Sequence, residues 1–147
     1  MLTETLIKLF KRDLGKLKEE IDSYKNESNL WIVTNDVSNS AGNLCLHLVG
    51  NLNHFIGAVL GDSGYVRQRD LEFSLKDIPK SELIRQINST IEVIENTLSK
   101  LTKDHLQQEY KRRVFEETMT TAYFLVHLTM HLAYHLGQIN YHRRLID

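Results

Sequence analysis

The sequence predicts an all-α protein, a single four-helix bundle over residues 1–147, on three observations. Apolar residues recur at helical spacing in four long segments. One proline and seven glycines leave those segments almost uninterrupted. No stretch alternates with the period of two that a half-buried strand needs. A chain of 147 residues is also the right size for one domain around one core.

The first helix is expected from about Thr3 to Tyr24. Thr3 is the candidate N-cap, and Leu6, Leu9, Phe10, Leu14, Leu17 and Ile21 form its apolar stripe. Asn26 to Val37 reads as a connector with Trp31 and Val33 tucked against the bundle end. A second helix is expected from about Ser38 to Leu60, with Leu44, Leu48, Leu52, Phe55, Ile56 and Val59 buried; Gly61-Asp-Ser-Gly64 stops it. His47 and Asn51 lie beside that stripe. The connection from Gly61 to Ile78 is then 18 residues, rich in charge and long for a compact domain. Extended at roughly 3.3 Å per residue, it can cross the roughly 33 Å length of a 22-residue helix. The third helix, from Pro79 at N1 to Lys100, can therefore run parallel to the second, giving up-down-down-up connectivity. Leu83, Ile84, Ile87, Ile91, Ile94 and Leu98 are its core face. Leu101 to Glu117 reads as partly helical, with Leu106, Tyr110 and Val114 covering the bundle. The fourth helix runs from about Thr118 to Ile146, with Phe124, Leu128, Leu132 and Ile139 on its apolar side.

Bulk properties exclude several function classes. Eighteen basic against nineteen acidic residues leave no basic surface for nucleic acid. No apolar run reaches the roughly 20 residues of a membrane span. The N-terminal segment has no signal-peptide core or cleavage site. One cysteine, Cys45, excludes an intramolecular disulfide and suits a reducing compartment, so a cytoplasmic protein is expected. Two residues from His47 and on another side of the helix, Cys45 reads as a small core residue.

Chemistry concentrates near the end of the chain, at His127, His131 and His135. Histidines four apart stack on one helix face and can converge on one metal ion. The pair His131/His135 is not a zincin motif, because position 132 is Leu where the general-base Glu would stand. Nor are there the paired Glu-x-x-His motifs of a di-iron bundle. His47 is the candidate third ligand, being mid-helix among leucines, where an unpaired imidazole is costly to bury. His54, one heptad later and nearer the helix end, competes with it. His54, His105 and His142 otherwise read as surface histidines, and His127 as lining the pocket or exposed. Three histidines with open coordination positions make a catalytic arrangement rather than a structural one.

His47-Leu-Val-Gly-Asn51, Arg67-Gln-Arg69-Asp70-Leu-Glu72-Phe73 and His131-Leu-Ala-Tyr-His135-Leu-Gly-Gln138 together resemble the DinB/YfiT-like superfamily, in order and spacing over nearly the whole chain. The resemblance implies an up-down-down-up four-helix bundle, a homodimer, and a divalent metal held by three histidines, here His47, His131 and His135. It further implies a thiol-dependent transferase using a bacillithiol- or glutathione-type cosubstrate. Imidazole ligands suit zinc or nickel, with manganese or iron as alternatives. Asn51 and Gln138 are then candidates to orient the ligands or line the pocket, as is His127. Arg67 and Arg69 are candidates to contact an anionic ligand. The competing readings are a metal-dependent hydrolase, a non-catalytic stress-response bundle that binds a metal or ligand, and a purely structural dimer with polar histidines in its core.

Overall fold

The computed structural model describes residues 1–147. It is all-α: six α-helices, a 3-10 turn and a π-helical turn, with no strand beyond one isolated bridge between Glu109 and Thr120. The helices are α1 (Leu2–Asp22), α2 (Ala41–Leu52), α3 (Arg69–Ser74), α4 (Lys80–Leu98), α5 (Lys103–Gln107) and α6 (Thr121–Ile146).

The four long segments carry the core. Leu6, Phe10, Leu14, Leu17 and Ile21 of α1 interlock with Leu83, Ile87, Ile94 and Leu98 of α4 and with Phe124, Leu128, Leu132 and Ile139 of α6. α2 is the central element: all twelve of its residues are buried. Asn43, His47 and Asn51, four residues apart, make one polar stripe along it, and the rest of its surface is apolar, as in a helix covered all round. α1 packs on α4 and α6, and α2 packs on the same two helices. Lys80 donates to the carbonyls of Asp22 and Tyr24, while Lys11 pairs with Glu95, so α1 and α4 run in opposite directions. Asn53 bonds Thr90, Gly57 sits under Val93 and Gly61 under Thr97, so the α2 segment and α4 advance together.

Several boundaries differ from the sequence reading. α1 starts at Leu2, and Thr3, expected as its cap, is a buried helical residue. The connector holds a 3-10 turn, Glu27–Trp31, capped by Asn26. Trp31 is tucked in, but Val33 is exposed. Gly42 makes room for the indole: a Cβ there would stand 2.7 Å from the ring. The second helix begins at its Ser40 cap and changes at Asn53 into a π-helical turn ending at Ala58. Pro79 is the N-cap of α4 rather than its first residue, and α6 starts after its Thr120 cap. Tyr110 is buried, its hydroxyl donating to the Phe55 carbonyl, whereas Val114 is exposed.

His142, read as a surface histidine, is buried. Its Nε2–H donates to the Ile32 carbonyl at 2.8 Å, so Nδ1 carries the lone pair and accepts from the Tyr24 hydroxyl at 2.6 Å. This pair ties the end of α6 to the end of α1, beside the Glu20–Arg143 ion pair. Tyr24→Phe leaves a buried imidazole nitrogen without a donor. Urea unfolding is expected to show a loss of about 1–3 kcal/mol.

Candidate metal centre

Three elements build the site. α2 presents His47, α6 presents His131 and His135 one turn apart, and the segment after Gly64 folds back so that α3 lies on α2. One ring nitrogen from each histidine lies within 4.8 Å of the others. The Nε2 atoms of His47 and His131 are 3.3 Å apart. Two nitrogens that share one ion at about 2.0–2.1 Å, at an angle near tetrahedral, have that same separation. The rings meet edge to face, with centroids 4.6–5.3 Å apart. His47 is buried; His131 and His135 are half-buried and open toward the surface.

The partners behind the rings fix which nitrogens face the centre. Glu72 Oε1 lies 3.0 Å from His47 Nδ1. A carboxylate accepts, so Nδ1–H donates and the Nε2 lone pair points inward. Gln138 Oε1, 2.7 Å from His135 Nδ1, does the same for the second ring. His131 Nδ1 has no partner, and neither does the buried Asn51 Oδ1. Asn51 is thus placed beside the site without orienting an imidazole directly.

Glu72 is the functional residue that the sequence reading missed as a site member. It is buried, and Arg67 grips it with two hydrogen bonds, Nε to Oε2 at 2.9 Å and Nη2 to Oε1 at 3.0 Å. Burial works against its charge, but the bonds from His47 and Arg67 outweigh it and hold the carboxyl below the usual range. Asn43 pins the same segment by donating to the carbonyls of Glu72 and Leu75. Gly50 admits the carboxylate, since a Cβ there would overlap Glu72 Oε2. A mid-helix glycine, which costs about 1 kcal/mol against alanine, was the one sequence signal of this close approach.

The remaining candidates fall around the centre. Arg67, considered for an anionic ligand, is committed to Glu72, while Arg69 lies over the Phe73 ring. Phe73 in turn packs on His47 with centroids 5.0 Å apart. His127 stacks on Phe124 and meets Phe115 edge-on. His54 packs on Phe55 within the π-helical turn. His105 is exposed and closes the capping box of α5 with Thr102. Cys45 is fully buried, which pushes its thiol up to about 12. No helix is long and apolar enough to cross a membrane.

Burial, with the neighbouring His135 and His47, lowers the His131 pKa to about 4 from 6.5; burial lowers that of His135 too. Both rings are neutral lone-pair donors at pH 7, the form a metal requires. Unfolded His131 takes a proton near 6.5 while folded His131 does not. The unfolded state therefore binds more protons, and the metal-free chain loses stability as the pH falls from about 6.5 to about 4. Urea midpoints measured across that window are expected to fall less steeply for His131→Asn than for the wild type.

A family model described as "Protein of unknown function (DUF1572)" matches residues 3–147. No curated protein matches the chain.

Proposed function

The chain belongs to this family of unknown function, and from its three converging histidines we propose that it is a metal-dependent enzyme, a thiol S-transferase. His47, His131 and His135 hold one divalent ion, zinc or nickel first, with manganese or iron as alternatives. The observation that carries the reading is the convergence of three ring nitrogens within 4.8 Å, two of them aimed by Glu72 and Gln138. Three histidine ligands leave coordination open, as catalytic sites do.

When bound, the metal supplies a positive charge that holds a coordinated low-molecular-weight thiol as thiolate, its nucleophilic form. The chain does the rest. Glu72 and Arg67 lock the His47 ring, Gln138 locks the His135 ring, and Phe73 packs on the His47 ring. Thiol transfer is favoured over hydrolysis by the fate of the carboxylate. Hydrolysis asks for a general base, and Glu72 has both oxygens committed to His47 and Arg67.

We also read the family as part of the DinB/YfiT-like superfamily and the four long helices as an up-down-down-up bundle. The pairings of α4 with α1 and with the α2 segment, and of Asn140 and Arg143 near the end of α6 with Glu20 near the end of α1, support that topology. The buried, unpaired Cys45 suits a cytoplasmic protein.

The test is conjugation of a generic electrophile with bacillithiol or glutathione by protein loaded with zinc or nickel. A rate proportional to added protein, and lost in His131→Ala, is expected. Full metal loading with no turnover on any thiol would instead mean a metal- or ligand-binding bundle.

A further inference from the structure

Away from the histidines, a cavity of about 420 Å³ opens where the end of α4, α5 and the start of α6 meet the end of the α2 segment. That volume falls within the roughly 300–1,000 Å³ of small-molecule sites. Leu60 in its lining lies beyond His47, and Thr121 before His131, by about 15–20 Å at 1.5 Å per helical residue. The cavity is therefore separate from the candidate metal centre.

Its walls are firmly built. Val93, Asn96, Thr97 and Lys100 recur at steps of three and four, so they share one face of α4 and of the turn that follows it. α5 and the segment after it add His105, Gln108, Glu109 and Lys111. That segment is anchored to the rest of the bundle. The Gln108 carbonyl accepts from both the N–H and the hydroxyl of Thr121, and the Tyr110 N–H donates to the Met119 carbonyl. The Tyr110 hydroxyl in turn donates to the Phe55 carbonyl. Leu60, Val93 and Leu101, all half-buried, form the apolar part of the lining.

The polar part is rich in donors that the chain leaves unused. Lys11 pairs with Glu95, but Lys100 and Lys111 make no ion pair. His105 is held in one tautomer: the Thr102 N–H donates to its Nδ1 at 3.0 Å, which leaves the ring proton on Nε2. That Nε2–H, like the side-chain amides of Asn96 and Gln108, has no acceptor within the chain. Against the two ammonium groups stands one carboxylate, Glu109, itself without a cation partner. Donors and positive charge thus outnumber acceptors around one cavity.

We propose that this cavity binds a small organic anion, a carboxylate or phosphate group on a short aliphatic body. Lys100, His105 and Lys111 hold the anionic head, and Leu60, Val93 and Leu101 take the aliphatic part. Carboxylate and phosphate oxygens are the acceptors that make charge-assisted bonds with such donors. A cationic ligand would meet Glu109 alone. A purely apolar one would leave every polar group of the lining unused. The proposal stands apart from the metal centre and does not depend on it.

The experiment is a two-dimensional NMR titration of the metal-stripped full chain with butyrate, butyl phosphate, inorganic phosphate and butylamine. Saturable shifts of the His105 ring and of the Thr97 and Gln108 amides are expected with butyrate, butyl phosphate or both. The tighter of the two names the head group. Inorganic phosphate is expected to bind several-fold more weakly than butyl phosphate, and butylamine not at all. Lys100→Gln and Lys111→Gln alter exposed side chains, and circular dichroism checks that their fold survives. Each is expected to weaken binding about tenfold, as one charge-assisted bond is lost. No saturable shift at His105 with either butyl anion overturns the site. So does butylamine binding as tightly as they do, or an affinity that both lysine variants leave unchanged. Inorganic phosphate binding as tightly as butyl phosphate overturns the aliphatic part of the assignment.

Discussion

His131→Ala is expected to abolish the proposed stoichiometric binding of zinc or nickel while leaving the helices folded. The expected loss of affinity exceeds the roughly 10–100-fold seen when only a partner behind a ligand is removed, because a direct donor is gone. His131 is half-buried at the seam of α6, and its Nδ1 has no partner to strand. The variant therefore keeps its fold, so the loss belongs to the site. His47→Ala is expected to match it. His127→Ala and His54→Ala are the controls: their rings pack on Phe124 and Phe55 rather than entering the cluster. Competition against a chromophoric chelator reads all four. If His54→Ala weakens binding as much as His47→Ala does, the third ligand has been misplaced.

Gly50→Ala gives the second large effect, with a sign opposite to the usual one. In a helix interior this change ordinarily stabilises by about 1 kcal/mol. Here the added Cβ takes the place of Glu72 Oε2, and the carboxylate leaves its bonds with Arg67 and His47. Breaking a buried ion pair costs about 3–5 kcal/mol, which outweighs the helix gain. Urea unfolding should show a net loss of a few kcal/mol. Metal affinity should fall by about 10–100-fold as His47 loses the group that aims it. Glu72→Gln tests the same contact without the steric change. The double variant Gly50→Ala, Glu72→Ala should recover part of the additive loss, since the two changes act on one contact.

What was legible in the sequence depended on whether a signal was local. The apolar stripes of α1, α4 and α6 each lie along one stretch of chain, and their helices were placed within a few residues. The histidine trio was legible for a related reason. Two members share a helix face, and His47 stood out as a polar residue among leucines. Glu72 was not legible as a site residue, because its stretch has no periodicity until it folds back on α2. Only then do Arg67, His47 and Asn43 become its neighbours. His142 failed similarly: its partners, Tyr24 and Ile32, are more than 100 residues away. The π-helical turn from Asn53 to Ala58 interrupts a pattern that read as one continuous helix. Val33 and Val114 show the reverse error, apolar residues left exposed in connections.

The most direct measurement of the metal centre is elemental analysis with X-ray absorption spectroscopy on freshly purified protein, repeated after loading with zinc. One divalent ion per chain is expected, with about three imidazole nitrogens at about 2.0–2.1 Å, and with that shell disrupted in His131→Ala. A chain that takes up no stoichiometric metal, or one whose metal spectrum is unchanged when His47, His131 and His135 are replaced, contradicts it.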